Sequence, residues 1–119
     1  MRGDDLSQRL LDFGVRVIRL VQALPKNIAG KHVAGQLLRS GTSSGANYEE
    51  ARGAESKQDF IHKFAFAWKE ARESWYWLRL VAKSEMVKPP LVAKLHLEAD
   101  ELSRILSKSL ETARRRKFP

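Results

Sequence analysis

A chain of 119 residues, 43% hydrophobic and 30% charged, has the size of a single domain, 1–119, with one core, and its lack of cysteine excludes a disulfide framework and thiolate metal sites. Its formal net charge of +8 points to an acidic partner, nucleic acid first. The opening "MRGDDLSQRL" has no secretory h-region and no apolar run reaches about 18 residues, so neither export nor membrane spanning is expected and a cytoplasmic location is.

Helical stepping over residues 5–24 aligns Leu6, Leu10, Phe13, Val17, Leu20, Val21 and Leu24 on one stripe, with Asp4 or Asp5 as a cap and Pro25 as a stop. The next segment, 28–55, contains "SGTSSGANYEEA", which has the composition of a linker. Yet Val33, Leu37, Gly41, Ser44, Tyr48 and Ala51 fall within about 80° of one another, so the apolar phase survives the small residues. A loop has no reason to keep that phase, which favours one long, bent helix over a helix–loop–helix. Gly41 and Gly45 each disfavour helix by about 1 kcal/mol, so close packing against a neighbouring helix must compensate.

Residues 57–85 form the strongest helical pattern, with Phe60, Phe64, Ala67, Ala71, Leu78 and Ala82 aligned and Ser56 with Asp59 resembling a capping box. "PP" at 89–90 offers Pro90 as a first helical residue, and Leu91, Leu95, Leu102, Ile105, Leu106 and Ala113 mark a fourth helix over 90–115. No stretch alternates with period two. The fold class is therefore all-α.

A second apolar stripe accompanies the core stripe on two of these helices. Leu11, Val15 and Ile18 lie away from the core line of the first, while Phe66, Trp77 and Leu80 lie about 100° or more from that of the third. In "WYW", 75–77, three consecutive residues spread over about 200°, so Trp75 is expected inward and Trp77 toward a partner. These six residues are the expected subunit interface.

The chemistry of catalysis is poorly represented. His32, His62 and His96 lack the spacing of metal ligands, Glu-x-x-His is absent, and "GTSSG" lacks the lysine of a phosphate loop. Ser43 and Ser44 have no base nearby in sequence, and Lys57 before His62 is a poor substitute for the arginine of the Arg-x4–6-His ribonuclease motif. No enzyme activity and no cofactor are expected. Arg39, Asn47, Glu50 and Arg72 read as a structural polar cluster that fixes helix register.

Half of the excess positive charge lies in residues 86–119, where eight bases meet four acids. Arg104, Lys108 and Arg115 share a helical face that leads into the tail Arg114, Arg115, Arg116 and Lys117. Helix C-termini favour cations, but three consecutive arginines exceed that need, so these residues are the expected nucleic-acid contacts.

The stretch "QLLRSGTSSGANYEEARGAESKQDF" followed by "AWKEARESWYWLRL" resembles the four-helix-bundle family known from open reading frames in 23S ribosomal RNA intervening sequences, over about Leu10 to Leu110. The resemblance implies an up-and-down antiparallel four-helix bundle, with 28–55 as its second helix, and a homopentamer. It extends to the accessory proteins of diversity-generating retroelements, which bind nucleic acid and a reverse transcriptase through basic surfaces. Many relatives carry Ile-Pro where this chain has Ser44-Gly45, so a proline kink there becomes a bend that glycine permits. A pentamer multiplies each basic tail fivefold. The expected role is a non-enzymatic scaffold offering a basic surface to RNA or DNA or to a nucleic-acid enzyme; the alternative is a protein-interaction scaffold with no nucleic-acid role.

Overall fold

The computed structural model describes residues 3–116. They form four α-helices, α1 Gly3–Ala23, α2 Ile28–Arg52, α3 Lys57–Lys83 and α4 Pro89–Arg115, with no strand among the described residues. Short turns force each helix to run antiparallel to the one before it. Cross-helix bonds register this: Tyr48 Oη donates to the Gly3 carbonyl at 3.0 Å, Arg39 reaches Glu70 at 2.8 Å, and Arg9 reaches Glu98 at 2.6 Å. The result is an up-and-down bundle 52 × 21 × 19 Å. Its upper end holds the α1–α2 and α3–α4 turns, and its lower end the α2–α3 turn and the start of α1.

The six positions that carry the phase of α2, from Val33 to Ala51, are all buried, and the Ser/Gly run is continuous helix. Its poor propensity is offset by how closely α1 and α2 meet. A Cβ on Gly41 would lie 2.8 Å from both methyl carbons of Val17, and one on Gly45 would lie 3.4 Å from Leu10 Cβ. Glycine at 41 is therefore a packing residue. The small polar residues are equally placed. Ser40 and Ser74, both buried, bring their Oγ atoms to 2.8 Å, and Ser74 also donates to the Glu70 carbonyl at 2.9 Å, which ties α2 to α3 without a buried unpaired hydroxyl.

Local signals set the helix starts. Asn27 caps α2, its Oδ1 accepting from the Gly30 amide at 2.8 Å, and Ser56 caps α3 by accepting from Asp59 N at 3.1 Å. Asp4 and Asp5 lie inside the first turn of α1 instead of capping it, where their charge still suits the helix dipole. Helix α4 begins at Pro89, one residue earlier than expected, with Lys88 as a cap that makes no side-chain bond.

Two stripes differ from expectation. In α3 the buried line is Phe64, Ala67, Ala71, Ser74, Leu78 and Val81, with Phe60 and Ala82 only partly covered at the two ends. In α4 the line passes through Val92, Leu95, Ala99, Leu102, Leu106, Leu110 and Ala113. Leu91, expected in the core, is 55% exposed, and Ile105 is half-buried. Val92, three residues before Leu95, takes the inward position, and α1 touches α4 too sparingly to cover Leu91.

The α3–α4 turn holds Glu85 at φ 57°, a left-handed conformation that L-residues with a Cβ adopt at a cost. Glu85→Gly is expected to stabilise the bundle by about 1 kcal/mol, read as a higher urea midpoint at unchanged slope.

Candidate functional site

Folding redistributes the charge. Residues 16–35 and 76–97 together form the upper end, and they contain Arg16, Arg19, Lys26, Lys31, Arg79, Lys83, Lys88 and Lys94 against one acid, Glu85. All other residues of the sequence nearly balance, with fourteen bases to thirteen acids. None of the eight cap cations forms an ion pair among the described residues. Of the next acids below them, Glu70 and Glu73 are taken by Arg39, Glu98 and Glu101 by Arg9 and Asp100 by Arg104, while Asp12 accepts from Gln8 Nε2 at 3.1 Å. Arg16, Arg19 and Lys94 line a cleft of ≈ 270 Å³ between α1 and α4, floored by Leu20, Ala23 and Leu95. Three uncompensated cations around one cleft make a ready seat for phosphate oxygens.

The expected basic residues of α4 lie elsewhere. Arg104, Lys108 and Arg115 are exposed on one face, but Arg104 is held by Asp100 at 3.0 Å and Arg115 by Glu111, each one turn earlier on the same helix. Arg114 is exposed, the Arg116 carbonyl accepts from Lys57 Nζ, and Lys117 lies outside the described residues. Along the chain half the surplus belongs to residues 86–119; in space the unneutralised part gathers at the opposite pole of the bundle.

The two expected apolar faces differ in exposure, and Ile28, Leu91 and Leu97 are exposed outside them. Leu11, Val15 and Ile18 are 62%, 39% and 42% exposed, and with Gly14, Thr42, Gly45 and Ala46 they line a groove of ≈ 400 Å³ between α1 and α2. On α3, Phe66 is 40% exposed, with the His62 ring edge-on at 5.0 Å. Trp77 and Leu80 are only partly buried against the core, and it is Tyr76 that stands out at 50% exposure. Trp77 is engaged within the chain: its Nε1 donates to Glu73 at 2.9 Å and its ring meets His32 at 5.9 Å.

The four residues expected to form one polar cluster do not meet. Arg39 bridges to Glu70 and Glu73, Asn47 donates to the Ser43 carbonyl of its own helix at 2.9 Å, Glu50 pairs with Lys63 at 3.2 Å, and Arg72 lies over Trp75 at 5.6 Å. Eleven residues separate Arg39 from Glu50, about 16 Å of helix, so each finds a different level of the antiparallel α3. Arg72 faces α4 instead. Polar groups still tie α2 to α3, but as separate rungs.

Titration at the lower end follows from the same packing. Burial pushes the Tyr48 phenol above its ordinary pKa, with Arg52 pulling the other way, so it stays a neutral donor to Gly3. In the α1–α4 seam, the hydrogen bond to Glu98 raises Arg9, with burial opposing it. Among the described residues no three His, Asp or Glu side chains gather as a metal site. No described helix is long and apolar enough to cross a membrane.

These features define an all-α, up-and-down four-helix bundle with a cationic pole and two apolar flanks. Residues 4–108 match the model of the 23S rRNA-intervening sequence protein family, and the chain belongs to that family. In three dimensions it is similar to a protein of unknown function from the S23 ribosomal protein family of Bacteroides thetaiotaomicron VPI-5482, at 33% identity and a TM-score of 0.83, over 93% of this chain and 99% of that one. No curated protein matches the sequence.

Proposed function

We propose that this chain is a non-enzymatic, homopentameric scaffold that binds the phosphate backbone of RNA or DNA through its upper end. The observation that carries this reading is the cap of eight cations with one acid. Exposed, unpaired Lys and Arg bind polyphosphate by releasing its counterions, without reading bases. The α4 residues Arg104, Lys108, Arg114 and Arg115 add a second, partly neutralised basic strip, with Arg116 and Lys117 next in the sequence. A nucleic-acid enzyme such as a reverse transcriptase would be reached through the same polynucleotide.

Assembly rests on the two apolar flanks. The α1–α2 groove with Leu11, Val15 and Ile18 and the α3 face with Phe66, Trp77 and Leu80 are different surfaces on different helices. A contact that joins unlike surfaces propagates head to tail and closes into a ring, whereas a single self-complementary patch would stop at a dimer. Leu11→Glu with Ile18→Glu should reduce the mass seen by light scattering from five times 13.6 kDa to a single chain, because a carboxylate buried without a partner is costly. Both side chains are exposed in the single chain, so helicity by circular dichroism should persist. A mass that stays pentameric removes these residues from the interface.

The function itself is tested by titrating the protein with RNA and with DNA at two salt concentrations. Affinity should fall steeply between them. Absence of binding at low salt overturns the reading, and a protein partner retained at high salt after nuclease treatment would replace it with the scaffold alternative.

A further inference from the structure

We infer that the groove between α3 and α4 is a stacking site for an unpaired nucleobase, with Trp75 as the platform, so that the protein prefers single-stranded to double-stranded nucleic acid. This rests on the reading of the upper end as a phosphate-binding surface and specifies which form of nucleic acid it takes.

The groove has a volume of ≈ 540 Å³, and Trp68, Arg72 and Trp75 of α3 line it opposite Arg104 and Lys108 of α4. Trp75 is only partly buried. The Arg79 guanidinium lies 3.9 Å from its ring centroid and that of Arg72 lies 5.6 Å away. Neither arginine has a carboxylate partner among the described residues, so each is free to leave the indole for a phosphate or to stack on a base itself. The two acids in the groove, Asp100 and Glu111, are already neutralised by Arg104 and Arg115. Arg72 and Lys108 therefore leave the groove net positive.

Position links the groove to the cap. Arg79 belongs to the cap and to the Trp75 stack at once, and Trp68 follows two turns further down the same face of α3, about 10 Å away. A strand whose phosphates sit on the cap can run down this groove, with a base on Trp75. Rows of aromatic rings between cations are how proteins hold single strands with little regard for sequence. Bases in a duplex have both faces covered by their neighbours and cannot enter without being unstacked.

The test is a fluorescence titration of the full chain with an oligothymidylate of roughly 12 nucleotides and with a duplex of the same length. The single strand should quench tryptophan emission and the duplex should not. Trp75→Leu should weaken single-strand binding about 10-fold and leave duplex affinity unchanged, and Trp75→Phe should retain most of the affinity while losing most of the quenching. Binding of both nucleic acids without quenching, or an equal loss for both in Trp75→Leu, overturns the stacking site and leaves the phosphate-binding cap intact. If neither binds the wild-type chain at low salt, the cap reading falls and this inference falls with it.

Discussion

Alanine at Gly30 is expected to destabilise the bundle by about 3 kcal/mol and alanine at Gly41 by about 2 kcal/mol, while the same change at Gly35 should stabilise it by about 0.5–1 kcal/mol. All three glycines lie in α2, so helix propensity alone would make every substitution favourable. Space decides otherwise. A Cβ at Gly30 would fall 1.9 Å from the Pro25 carbonyl oxygen, a backbone atom fixed by the α1–α2 turn. At Gly41 the obstacle is Val17, fully buried, with both methyl carbons at 2.8 Å and its Cβ at 3.1 Å. A β-branched side chain has no second rotamer that withdraws both methyls, so α1 and α2 must separate. Gly35 faces open space with nothing within 4 Å. Urea titrations of the three variants read the difference directly, and a Gly41→Ala midpoint as high as that of Gly35→Ala would show that close approach of α1 is not what the glycine provides.

Reversing the charge of the α1–α4 cleft should have the largest functional effect. Arg16→Glu, Arg19→Glu and Lys94→Glu together are expected to lower affinity for RNA or DNA by on the order of 100-fold at low salt and to reduce the slope of log K against log salt by about three. Arg104→Glu and Arg115→Glu serve as the comparison. Each of those arginines already spends its charge on a carboxylate of its own helix, so their joint effect should be several-fold smaller. The opposite ranking would move the binding surface from the upper end to the face of α4. All five side chains lie away from the buried stripes, and circular dichroism should show the fold unchanged.

Much of the fold was legible because periodicity survives weak propensity. Val33, Leu37, Gly41, Ser44, Tyr48 and Ala51 share one face whatever their helix preference, and all six are buried. Partner choice across helices has no such signature. The contact of Gly41 with Val17, the Ser40–Ser74 bond and the pairing of Glu50 with Lys63 depend on which levels face each other after folding. The phase of α4 was blurred by consecutive apolar residues, since Leu91 and Val92 compete for one inward position and only the second takes it. "WYW" posed the same difficulty, and the outermost ring is that of Tyr76.

The cationic pole was hidden for a related reason. Its eight bases come from four separate helix segments and two turns, none of which is conspicuous alone, whereas the arginines of the tail stand together in the sequence. Counting along the chain rewards adjacency; an antiparallel bundle sums segments that lie far apart in it. The exposed Leu11, Val15 and Ile18, by contrast, were visible as spacing on a single helix.

A rod 52 Å long with its surplus of positive charge at one end is an electric dipole of molecular dimensions. In the field of a polyanion it experiences a torque before it experiences contact, so collisions are biased toward end-on arrival and orientational search is shortened. Dissolved salt, by screening that field beyond roughly 10 Å, would slow the encounter as well as weaken the complex.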